Sequence, residues 1–152
     1  MKSFRKLAAL ACAALSFASF DASAAIDPAA PVVLLRTSCN DGAGGTLNNC
    51  FTDTVSLNGW IWGTRKPTGT APLEVQIGPG TWGQYFCGGG TTIAGNISFR
   101  GAGMDKTTFN SITLFGDCAN VAFQDMTVSG TGLSYAVTVF NPGMKTTWTN
   151  VK

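Results

Sequence analysis

The chain has 152 residues, 45% of them apolar and 12% charged, with 19 Gly and no His. This length predicts one domain with a real core, and the low charge with abundant apolar residues argues against disorder. Without His there can be no His-based triad, no His metal site and no imidazole acid–base step.

The chain opens on a targeting pattern. Lys2, Arg5 and Lys6 form a basic start, Leu7 to Phe20 is mostly apolar, and Ala22-Ser23-Ala24 has small residues at both ends. This predicts a secretory signal over 1–24, with cleavage after Ala24. The apolar stretch is short for a membrane span, and no later segment is long and apolar enough to cross a bilayer. The predicted location is secreted: extracellular, periplasmic or cell surface. Removing the signal takes three of ten basic residues and Asp21 of eight acidic ones, leaving seven of each. The overall charge of +2 therefore belongs to the signal. No basic stripe remains for a nucleic-acid partner.

Cys12 leaves with the signal, and Cys39, Cys50, Cys87 and Cys118 remain. An even number in an exported chain reads as two disulfides. Three pairings are open. Cys39–Cys50 and Cys87–Cys118 are favoured as nearest in sequence. No C-x-x-C spacing supports zinc.

Residues 25–52 read as an irregular lead-in pinned by Cys39–Cys50. Leu57, Trp60 and Ile61 then follow the i, i+3, i+4 pattern of a short helix with Asp53 as N-cap, although Gly59 weakens it. This helix is expected to cap a stack of strands. Thr64 to Thr70 is an exposed connector.

The remainder is short β-prone runs separated by Gly, Asn, Thr and Pro. Glu74-Val75-Gln76-Ile77, Asn96-Ile97-Ser98-Phe99, Asn120-Val121-Ala122-Phe123 and Lys145-Thr146-Thr147-Trp148 align on their apolar positions. The alignment places Val75, Ile97 and Val121 in one internal column and Ile77, Phe99 and Phe123 in another. Gln76, Ser98, Ala122 and Thr147 face outward. Ile112 to Phe115 repeats at Val137 to Phe140. A period of twenty-odd residues points to a parallel β-helix of about four coils, with an antiparallel sandwich as the alternative. Asn96 and Asn120 are expected to stack from coil to coil. Asn96-Ile97-Ser98 is also a glycosylation sequon.

The order of short helix, polar connector, Ile77-Gly78-Pro79-Gly80-Thr81-Trp82, then Asn96-Ile97-Ser98-Phe99-Arg100-Gly101-Ala102-Gly103, then Asn120-Val121-Ala122-Phe123, resembles the N-terminal part of the pectin-lyase-like superfamily. The resemblance covers roughly 53–152. It implies an all-β, right-handed parallel β-helix with a short N-terminal capping helix. It further implies a protein that engages or processes an acidic, pectin-like polysaccharide. A noncatalytic surface or adhesion scaffold and a carbohydrate-binding β-sandwich are the rivals.

No catalytic, cofactor or metal residue is assigned. Calcium would enter only with a lyase, and the paired carboxylates of a hydrolase are not evident. The weak ligand-contact candidates are Arg100, Asp125 and Trp82. Asp125 also reads as a turn residue, and Arg100 as merely solvated. Trp62 and Trp82 are expected to be partly exposed, Trp60 and Trp148 to lie in the cap and core. The last strand has no closing coil after it. This suggests the front of a longer domain whose active coils are missing, leaving an inactive chain, or an edge that pairs with another chain.

Overall fold

Alternating apolar and polar residues give strands such as Leu73–Ile77 and Ile97–Arg100 one face to bury. A computed structural model describes residues 26–87, 96–115, 120–130, 136–139 and 145–152. The predicted signal (1–24), the Gly88-Gly89-Gly90 bend and Cys118 lie outside the described residues. The strands are β1 (Val32–Leu35), β2 (Cys50–Phe51), β3 (Leu73–Ile77), β4 (Gly80–Cys87), β5 (Ile97–Arg100), β6 (Thr107–Leu114), β7 (Val121–Val128), β8 (Val137–Val139) and β9 (Thr146–Val151), with one helix α1 (Thr54–Trp60) after β2.

Every ladder between these strands is parallel, which excludes the antiparallel sandwich. One row runs β2-β1-β3-β5-β7-β9. The other runs β4-β6-β8, joined to the first where Thr127 and Val128 of β7 pair with Thr108 and Phe109. The protein is thus all-β and largely parallel. Tyr85 of β4 closes the space between the rows, its ring centroid 4.4 Å from Phe99 and 6.2 Å from Phe123.

The lead-in is not wholly irregular. Val32–Leu35 pairs with β3, and Val33 and Leu35 are fully buried. Four consecutive apolar residues show no alternation, which hides the strand in the sequence. Cys39 and Cys50 form the expected disulfide, with Cα atoms 5.7 Å apart. Cys87 is buried and also disulfide-bonded.

The register differs from the sequence alignment at β3. Leu73, not Val75, lies opposite Ile97, and Val75 lies opposite Phe99. From Ile97 onward the expected columns hold: Ile97–Val121–Thr146 and Phe99–Phe123–Trp148. β3 has three inward residues, Leu73, Val75 and Ile77, all buried. Any adjacent two satisfy a period of two, so apolar pattern alone cannot choose between them. The chain bends at Gly101, one step past the Gln76–Arg100 pair, and leaves Ile77 without a strand partner on that side.

α1 forms as predicted. The Asp53 carboxylate accepts from the Ser56 backbone N–H at 2.7 Å and from the Ser56 hydroxyl at 2.8 Å. Leu57 and Ile61 are buried, and Trp60 packs on Phe51 at 5.5 Å. The helix widens into one π-helical turn, Ile61–Arg65, and stops where Lys66 adopts φ +42°. The connector is largely exposed, as expected, with Pro67 buried and Arg65 half-buried. Arg65 donates to the carbonyls of Ala30, Ala71 and Pro72, tying it to both flanking segments.

Trp148 is not interior. Its ring stacks on Phe123 at 4.6 Å, yet it remains 36% exposed because, among the described residues, β9 has a partner strand, β7, on one side alone. The expected Asn96–Asn120 pairing survives only in the backbone, where Ile97 N–H donates to the Asn120 carbonyl. The side-chain ladder forms at the next bend instead, where Asn150 Nδ2 donates to Asp125 Oδ1 at 3.0 Å. No helix among the described residues is long and apolar enough to cross a membrane.

Candidate functional site: a groove across the strands

The same registers that bury one face align the other. Val32, Glu74, Ser98, Ala122 and Thr147 stand side by side in one outward column. Beside it runs Leu34, Gln76, Arg100, Gln124 and Thr149. Five strands at the usual interstrand spacing make each column about 19 Å long.

The first column floors a groove of about 600 Å³. Ser98 and Ala122 keep its middle shallow-walled and open because their side chains are small. The residues just before each strand form one rim: Pro31, Pro72, Asn96, Asn120 and Lys145. Backbone bonds hold this rim in step, with Leu73 N–H on Asn96 O, Ile97 N–H on Asn120 O and Val121 N–H on Lys145 O.

The groove changes character along its length. At the β1 end Pro31, Val32 and Pro72 give an apolar shelf around Glu74. Glu74 accepts from Gln76 Nε2 at 2.9 Å. The middle offers amides and a hydroxyl from Asn96, Asn120 and Ser98. The β9 end carries the Lys145 ammonium and the Thr147 hydroxyl.

Of the three candidates from the sequence, Arg100 and Asp125 come together on neighbouring strands, whereas Trp82 lies apart in the core. Arg100 is exposed in the column beside the groove, between Gln76 and Gln124. Asp125 sits at the bend after that column with φ +57°. Its carboxyl is held below the usual range, first by the Asn150 amide, then by the Gln124 amide, with Arg100 adding a weaker pull. Trp82 is only 5% exposed, and its indole N–H donates to the Gly78 carbonyl at 3.2 Å. That places its ring in the core, where it is not available for stacking on a sugar. Trp62 is half-buried, and its indole nitrogen is shielded from solvent.

Glu74, Asn96, Asn120 and Lys145 were not singled out as site residues. Part of their signal lies in the sequence: stepping outward-facing residues by the strand repeat puts Asn96, Asn120 and Lys145 in one line. Glu74 joins the neighbouring line of Ser98, Ala122 and Thr147 only with the β3 register corrected, since the alignment put Gln76 there. Among the described residues no three of His, Cys, Asp and Glu converge on a metal position. No family model, no curated protein and no solved structure matches this chain.

Proposed function

We propose that the protein is an exported right-handed parallel β-helix, similar in plan to the pectin-lyase-like superfamily. Its function would be to hold an extended stretch of acidic polysaccharide along the groove. The observation that supports this is the groove itself, an open channel crossing five parallel strands and lined by side chains that both donate and accept hydrogen bonds. Sugar hydroxyls need such partners, and a stacked-strand scaffold offers them at regular intervals along one axis. Lys145 in the groove and Arg100 beside it supply positive charge for carboxylates. The Cys39–Cys50 disulfide favours an oxidising compartment.

The reading is one of binding. Hydrolysis by the usual route uses two carboxyl groups flanking the scissile bond. Among the described residues Glu74 is the carboxylate that lines the groove.

The test is a panel of polygalacturonate, pectin and alginate, with and without calcium. Affinity electrophoresis reads binding, and absorbance of unsaturated products with reducing-end release reads turnover. The expected result is retention on at least one acidic polymer and no product. Ala122→Trp, which fills the groove from its outer floor without entering the core, should abolish most of the retention. A folded chain retained by none of the polymers would overturn the proposal in favour of a noncatalytic scaffold.

A further inference from the structure

Arg65, the last residue of the π-helical turn, is half-buried and directs its donors to three backbone carbonyls. Its Nε–H donates to Ala30 O at 3.1 Å, and its Nη2 donates to Ala71 O at 3.1 Å and to Pro72 O at 3.0 Å. The strand register shows why donors are needed there. Val32 pairs with Glu74, so Ala30 stands across from Pro72 two residues further out. At that end Glu74 N–H donates to the Pro31 carbonyl at 2.9 Å. Beyond this bond Pro31 and Pro72 have no N–H to offer, and the two entering segments cannot lace themselves together. The guanidinium takes over, because one planar edge reaches carbonyls on both segments. The same two prolines form the β1 end of the groove rim.

This clamp is carried by the capping helix. α1 runs directly into the π-helical turn, and Lys66 at φ +42° turns the chain away just after Arg65. Leu57 and Ile61, both buried, fix the helix that presents it. We propose that Arg65 is a positioning residue that couples the capping helix to the groove: the Pro31–Pro72 rim keeps its place only while α1 is seated. That the rim touches a glycan rests on the reading above; the coupling itself does not. The groove is thereby open to regulation from outside it, since any event that lifts the helix slackens its β1 end. Lysine cannot replace Arg65, because a single ammonium lacks the planar fork.

The experiment is residue-resolved amide hydrogen exchange on the full chain, without ligand. Glu74 N–H reports on the rim, and Val121 N–H, bonded to the Lys145 carbonyl at the far end, is the control. Arg65→Lys and Arg65→Ala should each raise exchange at Glu74 roughly tenfold, the scale of a lost charge-assisted bond, and leave Val121 unchanged. Millimolar ethylguanidinium should restore protection in Arg65→Ala and change nothing in wild type. Asp53→Ala, which weakens α1 at its other end with Arg65 intact, should also raise exchange at Glu74, yet add nothing further in Arg65→Ala. Unchanged exchange at Glu74, or an equal rise at Glu74 and Val121, would overturn the positioning role. Additive effects of Asp53→Ala and Arg65→Ala would overturn the coupling. On an acidic polymer that retains wild type, Arg65→Lys should weaken retention. An exchange response from a chain that no polymer retains would leave the coupling standing and remove the glycan reading instead.

Discussion

Asn150 Nδ2 donates to Asp125 Oδ1 at 3.0 Å, and both residues hold left-handed backbone conformations, with φ +51° and +57°. They lie at successive bends of the same row of strands. One bend earlier stands Gly101, whose N–H donates to the Gln124 carbonyl. Asn and Asp tolerate positive φ better than other side chains, because a short polar group can bond locally there. The bends therefore carry a small set of residue types, and the ladder between them locks neighbouring strands in register.

The ladder makes a pH-dependent prediction. The Asp125 carboxyl titrates below its unfolded value of about 3.9. A depressed folded value means that the ionised group contributes stability above the unfolded pKa, and that this is lost as pH falls through the folded value. Asp125→Asn keeps the shape and tolerates the backbone. Wild type should exceed it in thermal midpoint at neutral pH, and the two curves should converge below about pH 4. A constant gap across pH would contradict the ladder's ionic character. Asn150→Ala should cost about 1 kcal/mol for the left-handed backbone alone, whereas Asn150→Gly should spare that part.

Gly101 and Gly59 should respond oppositely to alanine. A Cβ on Gly101 would collide with the backbone carbonyl oxygen of Asp125, which cannot swing aside. Gly101→Ala should destabilise by about 1–3 kcal/mol or more, in the manner of other overpacked sites. A Cβ on Gly59 would meet nothing, and the residue is exposed in α1. Gly59→Ala should stabilise by about 0.5–1 kcal/mol through helix propensity. Urea midpoints read both.

Tyr85 is 1% exposed, and its hydroxyl has no hydrogen-bond partner. Removing an unsatisfied buried hydroxyl relieves a desolvation penalty, so Tyr85→Phe should be neutral or stabilising by up to about 1 kcal/mol. Tyr85→Ala should cost about 3–5 kcal/mol, because the ring bridges the two rows through Phe99 and Phe123. Burial pushes the phenol's pKa far up. Its ultraviolet ionisation signal should therefore emerge only together with alkaline unfolding. In a Tyr135→Phe background, which leaves Tyr85 as the single tyrosine, a reversible signal in the folded chain would refute the burial.

Asp53 caps α1 through Ser56. Asp53→Ala should cost about 1 kcal/mol, and Asp53→Asn much less. The Ser56 backbone N–H lowers the Asp53 carboxyl's pKa more than any other group does. The cap's ionic share is thus present above about pH 4 and fades as pH falls. Denaturation at pH 7 and pH 3 should show a smaller difference between wild type and Asp53→Ala at the lower pH.

Much of this architecture is legible from residue order. Period-two alternation marked Ile97, Phe99, Val121 and Phe123 as buried. The matching runs at Ile112 and Val137 announced a repeat, Asp53 marked the start of a helix, and Cys39 with Cys50 marked a short staple. Each of these is a local property, decided within a few residues or by one recurring interval. The tertiary structure decided what local order leaves degenerate. A two-residue slip at β3 keeps every side chain on its proper face, so only the bend at Gly101 and the ladder beyond it select Leu73 over Val75 as the neighbour of Ile97. Val32–Leu35 became a strand because β3 offered it an edge, and Trp82 went inward because the Gly78 carbonyl was there to receive its N–H. The groove depends on these same non-local choices: Glu74, Ser98, Ala122 and Thr147 form a line only after the strands are stacked, since alignment across strands is a relation between distant segments that neither segment encodes alone.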